Sequence, residues 1–120
     1  MNNKELGNWG EEKAAQFLRR KGYRILDRNY SCRFGEIDLI ASKGDFLCFV
    51  EVKLRKNAAY AEAREFVTYA KQQRILTSAQ FWLASHESDL QPRFDVIEVY
   101  APEGTDSKKP QIRHLENAFC

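Results

Sequence analysis

Three carboxylates stand inside segments that otherwise read as β-strands, and this constrains the chain more than any other feature. Gly35-Glu36-Ile37-Asp38-Leu39-Ile40-Ala41 alternates acids with aliphatics, and the most β-like run, Phe46 to Leu54, carries Glu51 and Lys53. Strands are depleted in Asp and Glu, and buried acids are rare without a partner, so something must compensate for these. Side chains alternate with period two, placing Glu36 and Asp38 on one face of the first strand and Glu51 and Lys53 on one face of the second. Lys43-Gly44-Asp45 between them is a turn signal. A two-residue hairpin at Gly44-Asp45 opposes Lys43 to Phe46, and counting back pairs Asp38 with Glu51 and Glu36 with Lys53.

That register sets two carboxylates across from each other with Cβ atoms roughly 5 Å apart, a repulsive arrangement. A divalent cation is the simplest compensation, and hard oxygen ligands at about 2.0 to 2.1 Å suit magnesium. Lys53, beside Glu51, adds a positive charge able to orient a water or stabilise developing negative charge. Asp38, Glu51 and Lys53 therefore hold the parts of metal-assisted phosphodiester hydrolysis. The competing reading makes Glu36 and Lys53 a solvent-facing ion pair with Asp38 and Glu51 exposed beside it. A one-residue shift in the turn would separate Asp38 from Glu51.

Around this segment the chain reads as a helix from about Asn3 to Lys21, stopped by Gly22, and a strand from Tyr23 to Tyr30. An alanine-rich helical region follows from about Tyr60 to Ser85. Its apolar stripe slips near Thr68, which fits a kink or a fresh helix capped by Thr68. Arg93 to Tyr100 and Gln111 to Leu115 are further strands, separated by a Pro- and Gly-containing loop, Ala101 to Pro110. The first three strands form an antiparallel meander, and the whole packs as a mixed sheet flanked by helices, an α/β fold. Trp9, Phe17, Phe66 and Trp82, at helical spacing, are core residues rather than base-stacking platforms.

With 120 residues the expectation is one domain over positions 1–120. The N-terminus lacks a signal peptide's apolar stretch and no apolar run spans a bilayer, which points to the cytoplasm and away from membranes. Cys32, Cys48 and Cys120 match neither a zinc site nor a disulfide framework. With only His86 and His114 as imidazoles, catalysis must rest on carboxylates and lysines. The net charge of +2 says little, but its distribution is uneven. Arg19, Arg20, Lys21, Arg24 and Arg28 cluster against one acid, Asp27, and Lys53, Arg55 and Lys56 follow the strongest apolar run. Such groups engage phosphate or complement a helix C-terminus.

Asp38, twelve residues, then Glu51-Val52-Lys53 resembles the PD-(D/E)xK signature of restriction-endonuclease-like nucleases. A longer set resembles the YraN family of small bacterial proteins over nearly the whole chain. It comprises Gly10-Glu11-Glu12-Lys13-Ala14, Gly22-Tyr23-Arg24-Ile25-Leu26, Arg28-Asn29, Gly35 to Ala41, Phe49 to Arg55, Lys71, Arg93-Phe94-Asp95-Val96 and Asn117-Ala118-Phe119. The resemblance implies a restriction-endonuclease-like αβββαβ core, similar in layout to archaeal Holliday-junction resolvases. It makes Asp38 and Glu51 metal ligands, Lys53 the catalytic lysine, and Glu11 an additional acid beside the metal. Glu36, Lys71 and Gln73 are then site neighbours. The signature's proline is missing before Asp38, at a position that is not a ligand.

The reading is a magnesium- or manganese-dependent endonuclease acting on DNA, branched or otherwise structured. Arg19, Arg20, Lys21, Arg24, Arg28, Arg55 and Lys56 would contact backbone phosphate. The alternative is a catalytically weak or inactive nuclease-fold module that binds nucleic acid or a protein partner. A homodimer would double the basic surface and suit a two-fold substrate.

Overall fold

The Gly44-Asp45 turn predicted from sequence closes a two-residue hairpin: Lys43 opposes Phe46 and Gly44 takes a φ of +58°, where glycine is favoured. The computed structural model describes residues 2–56 and 67–119. Its elements are α1 (Asn3–Arg20), β1 (Arg24–Cys32), β2 (Gly35–Lys43), β3 (Phe46–Arg55), α2 (Tyr69–Ser85), β4 (Gln91–Tyr100) and β5 (Gln111–Phe119), with a short 3-10 turn at Gly104–Asp106.

The five strands lie in sequence order in one sheet. β1, β2 and β3 form the expected antiparallel meander. β4 runs parallel to β3 along its whole length, from Phe46 opposite Gln91 to Arg55 opposite Tyr100. A parallel neighbour needs a crossover connection, and the chain between β3 and β4 contains α2. β5 closes the far edge antiparallel to β4.

Alternation along β3 divides the core. Cys48 and Val50 join Leu39, Ala41, Ile97 and Val99 beneath Ala14, Ala15 and Leu18 of α1. Leu47 and Phe49 join Ile40 and Val96 beneath Ile75, Ala79 and Trp82 of α2. One helix thus covers each face, which is why the central strands read as nearly continuous apolar runs. Complete burial of side chains such as Leu18, Leu39 and Phe49 contributes about 1.5 to 3 kcal/mol each.

Local caps explain where the helices start. Asn2 accepts a hydrogen bond from the Glu5 N–H at 2.8 Å, and Thr68 Oγ1 accepts one from the Lys71 N–H at 3.2 Å. The second confirms a helix beginning at Thr68; residues 60–66 of the longer expectation, Phe66 included, lie outside the described residues. β5 runs four residues past its expected end at Leu115. Phe119, at that end, is buried and stacks on Phe94 with centroids 5.5 Å apart, anchoring the extension. Trp82 is buried, and Trp9 and Phe17 are partly so. No helix among the described residues is long and apolar enough to cross a membrane.

Candidate active site

β2 and β3 keep an unbroken register from Lys43–Phe46 to Leu39–Val50. The ladder ends there, one step short of the expected Asp38–Glu51 pair and three short of Glu36–Lys53. There a side chain takes over from the backbone: Asp38 Oδ2 accepts the Val52 N–H at 2.8 Å. The alternation of β2 also slips at this point. Ile37 packs in the α2-side cluster while Leu39, two residues on, packs in the α1-side cluster, although residues two apart on a regular strand share a face. The acid in the strand is thus a local break in regularity, compensated by a charge-assisted hydrogen bond.

Glu51 faces the α2 side of the sheet with only 5 % of its surface exposed. Its Oε1 lies 2.6 Å from the Lys71 ammonium and 3.5 Å from that of Lys53. Lys71 comes from the first turn of α2, just after the Thr68 cap, so the cap fixes the lysine over the sheet. Gln73, two residues on and about 200° further round the helix, is exposed.

Glu11 approaches from α1. Gly10 eases this approach: a Cβ there would lie 3.0 Å from the Leu54 side chain of β3, which would have to give by a few tenths of an ångström. One Glu11 carboxylate oxygen is buried without a hydrogen-bond partner. Burial pushes its carboxyl above the ordinary range, opposed by a hydrogen bond with the Asn29 side chain and by Arg28, and reinforced by Glu36 and Glu51. Asn29 was assigned no role from sequence. It sits on β1 at a left-handed φ of +52°, between Arg28, paired with Leu39, and Tyr30, paired with Ile37, and so beside Asp38. Nothing in a single sequence marks that backbone conformation.

The carboxylates at this site act on one another. Burial and then the proximity of Glu51 push the Asp38 carboxyl up to about 7, with Glu11 contributing in the same sense and the Val52 N–H and Lys71 opposing. Burial alone would lower the Lys71 ammonium, but its hydrogen bond with Glu51 and the surrounding negative charge hold it above its ordinary range. Among the described residues no three His, Cys, Asp or Glu side chains form a ready-made metal cage. Magnesium does not require one, since it uses one or two carboxylates and keeps waters or substrate phosphate in its other positions. The unpartnered Glu11 oxygen and the elevated Asp38 fit a cation.

The other predicted residues separate into groups. Glu36 is exposed on β2, paired with Ser31 of β1. Arg19, Arg20, Lys21 and Arg24 are exposed at the hairpin end of the sheet, with Arg24 opposite Ser42 and Gly22 near Lys43. Five residues of β2, about 17 Å, separate that end from Asp38. Arg28 donates to Glu12 at 2.9 Å, and Lys56 is exposed. Arg55 departs from its expected role as a surface phosphate contact. Its side chain is 2 % exposed and its Nε lies 3.2 Å from Glu98 of β4, because β4 pairs alongside β3 and covers it.

A second polar constellation, whose residues were given no role from sequence, lies at β4 and β5. Asp95 is fully buried, accepting two bonds from Arg93 at 2.9 Å, one from the Asn117 N–H at 3.0 Å, and contacting His114 Nε2 at 2.8 Å. Arg93 also donates to Tyr23 Oη at 2.7 Å. Burial alone would raise the Asp95 carboxyl, but these partners bring it down to about 2. The register shift between Phe94 and Val96 and the left-handed Asn117 are the backbone side of the same knot.

The uncharacterised protein family UPF0102 matches residues 10–99, from Gly10 in α1 to Val99 in β4. A UPF0102 protein of Caldanaerobacter subterraneus subsp. tengcongensis is 46% identical over 99% of this chain and 98% of its own length. One from Alkaliphilus oremlandii is 48% identical over 98% and 99%. One from Myxococcus xanthus is 40% identical over 97% and 90%. With a match of this extent and relatives aligned nearly end to end, the chain belongs to the UPF0102 family.

Proposed function

We propose that this protein is a divalent-metal-dependent endonuclease built on a restriction-endonuclease-like core, acting on DNA. The observation that carries the reading is that Asp38 of β2, Glu51 and Lys53 of β3 and Glu11 of α1 stand close enough to act on one another, three carboxylates around one lysine-bound centre. Asp38 and Glu51 would hold magnesium or manganese, with Glu11 beside them. Such an ion supplies a polarised phosphate oxygen and an acidified water.

The protein's own residues do the rest. Lys53 orients the attacking water and stabilises charge that develops on the phosphate. Glu51, held between Lys53 and Lys71, keeps a fixed rotamer, so the ligand is positioned before substrate arrives. The exposed Arg19, Arg20, Lys21, Arg24 and Lys56 bind backbone phosphate without reading sequence. The order of elements, α1, three antiparallel strands, α2 and a parallel β4, agrees with the αβββαβ layout.

The test is cleavage of linear, flapped and four-way DNA in manganese by wild type, Glu51→Gln and Lys53→Met. Cleavage that drops at least 100-fold in both variants, with DNA binding retained, supports the enzyme. Wild type that binds all three DNAs and cuts none would make the protein a nuclease-fold binding module.

A further inference from the structure

Among the described residues, one pair of contacting aromatic rings is exposed on both sides. Phe34, in the turn between β1 and β2, and Phe81, on α2, are 36% and 47% exposed. Their centroids are 5.6 Å apart at an interplanar angle of 63°. A single exposed phenylalanine needs no explanation, but two held against each other from different elements form a surface.

The holding is specific. Gly35 has a φ of +149°, and a Cβ there would come within 3.4 Å of Arg74 Cβ and Ser78 Oγ, so the turn seats directly on α2. Cys32 Sγ meets Ser78 Oγ at 3.5 Å on the other side of the turn. The Arg33 guanidinium lies over the Phe34 ring at 4.9 Å, and Arg74 is exposed one helical step from Ser78. Phe46, also exposed and also under an arginine, Arg93 at 4.9 Å, and the exposed Tyr69 have no second ring against them among the described residues.

The position is equally specific. Lys71, Arg74, Ser78 and Phe81 follow one another at spacings of three and four residues, so they share one face of α2. That face runs from the ammonium on Glu51 to the aromatic pair over about 15 Å. Phe34 lies four residues, about 13 Å, from Asp38 along β2. Two aromatic faces flanked by two arginines, with Glu36 as the one exposed acid between them and Asp38 among the described residues, match a partner that is both anionic and aromatic.

We propose that Phe34 and Phe81, flanked by Arg33 and Arg74, are a stacking platform for unpaired bases of a strand whose backbone leads along α2 to the carboxylate site. This rests on the nucleic-acid reading above and narrows its substrate to DNA with a single-stranded segment. Bases in an intact duplex cannot reach such a platform, whereas any unpaired base presents a π-face.

The experiment is fluorescence anisotropy in EDTA at low salt, with a labelled short oligothymidylate and a fully paired duplex as probes. Phe34→Ala and Phe81→Ala should each weaken oligothymidylate binding at least about five-fold and change duplex binding less than two-fold. Both sites are exposed, so the variants should melt as wild type does. Phe34→Trp should keep the affinity and add a fluorescence signal that oligothymidylate quenches, which a merely structural role would not do. Equal losses on both probes, no loss on either, or wild type that does not bind oligothymidylate would each overturn the platform. So would sedimentation showing a dimer that Phe34→Ala dissociates, since the patch would then belong to a second copy. Because binding is read without metal, an absence of cleavage would remove the enzyme and leave the platform standing. Cleavage unaffected in both alanine variants, with binding unchanged, would remove the platform alone.

Discussion

The Lys71 ammonium lies 2.6 Å from Glu51 Oε1, joining the first turn of α2 to the middle of the sheet across a carboxylate that is almost wholly buried. Lys53 shares the same oxygen at 3.5 Å. Glu51 is therefore a buried charge with two lysines as its compensation, and removing one leaves it under-neutralised. Lys71→Met should cost about 1.5 to 3 kcal/mol in urea unfolding, and Glu51→Met in the same chain should recover part of that loss. A Lys71→Met protein as stable as wild type would mean that the pair contributes nothing to the fold.

Asp38 makes the site sensitive to pH. Its folded-state pKa of about 7 lies above the ordinary 3.8, chiefly through burial and then through Glu51. The folded protein therefore keeps a proton that the unfolded chain releases. This group's contribution to stability is full below about pH 4, falls as pH rises toward 7, and stays low above that. In EDTA, Asp38→Asn should be the more stable protein at pH 8 by on the order of 2 kcal/mol, with the advantage gone near pH 4. Parallel stability profiles for the two proteins would contradict the shift.

Asp95 has the opposite sign. His114, Arg93 and the Asn117 N–H outweigh its burial and bring its pKa down to about 2. Its stabilisation is present above about pH 4 and is lost as pH falls from there toward 2. Asp95→Asn, which leaves Arg93 and His114 without their buried partner, should cost about 3 to 5 kcal/mol. A loss under about 1 kcal/mol would show that the knot between β4 and β5 is not what secures the edge strand.

The arginines divide by burial. Arg55→Gln should lower stability, because it takes the buried cation from Glu98, which is only 6% exposed and would keep Tyr100 Oη at 3.1 Å and the exposed Arg113 at 3.9 Å. Arg20→Gln, at an exposed helix end, should leave melting unchanged and reduce the slope of log affinity for DNA against log salt by about 1. The reverse pattern would place Arg55 on the binding surface.

Much of the site was legible because it depends on local rules. A glycine-containing turn sets a two-residue hairpin, and period-two parity carries the register without tertiary information as far as Leu39 opposite Val50, one step short of Asp38 and Glu51. The Thr68 cap was readable for the same reason, from a slip in an apolar stripe. Lys71 could be named only as a neighbour, since no periodicity ties a residue on α2 to one on β3. Arg55 was misplaced because its surroundings depend on which strand lies beside β3, and a parallel partner after a crossover is not encoded in nearby residues. Asn29 and the Asp95 knot were missed because left-handed backbone and buried polar networks emerge only from packing. Phe34 and Phe81 carry no local signal, because only the packing of two separate elements brings them together at the surface.

On the proposed reading Asp38 and Glu51 hold one cation between them. The most direct measurement is calorimetric titration of manganese into wild type and Asp38→Asn at pH 7.5 or above, where Asp38 is largely ionised. The account predicts one binding event in wild type that is lost in the variant, together with release of the residual proton from Asp38. Identical titrations of the two proteins, or no heat of binding in wild type, would contradict it.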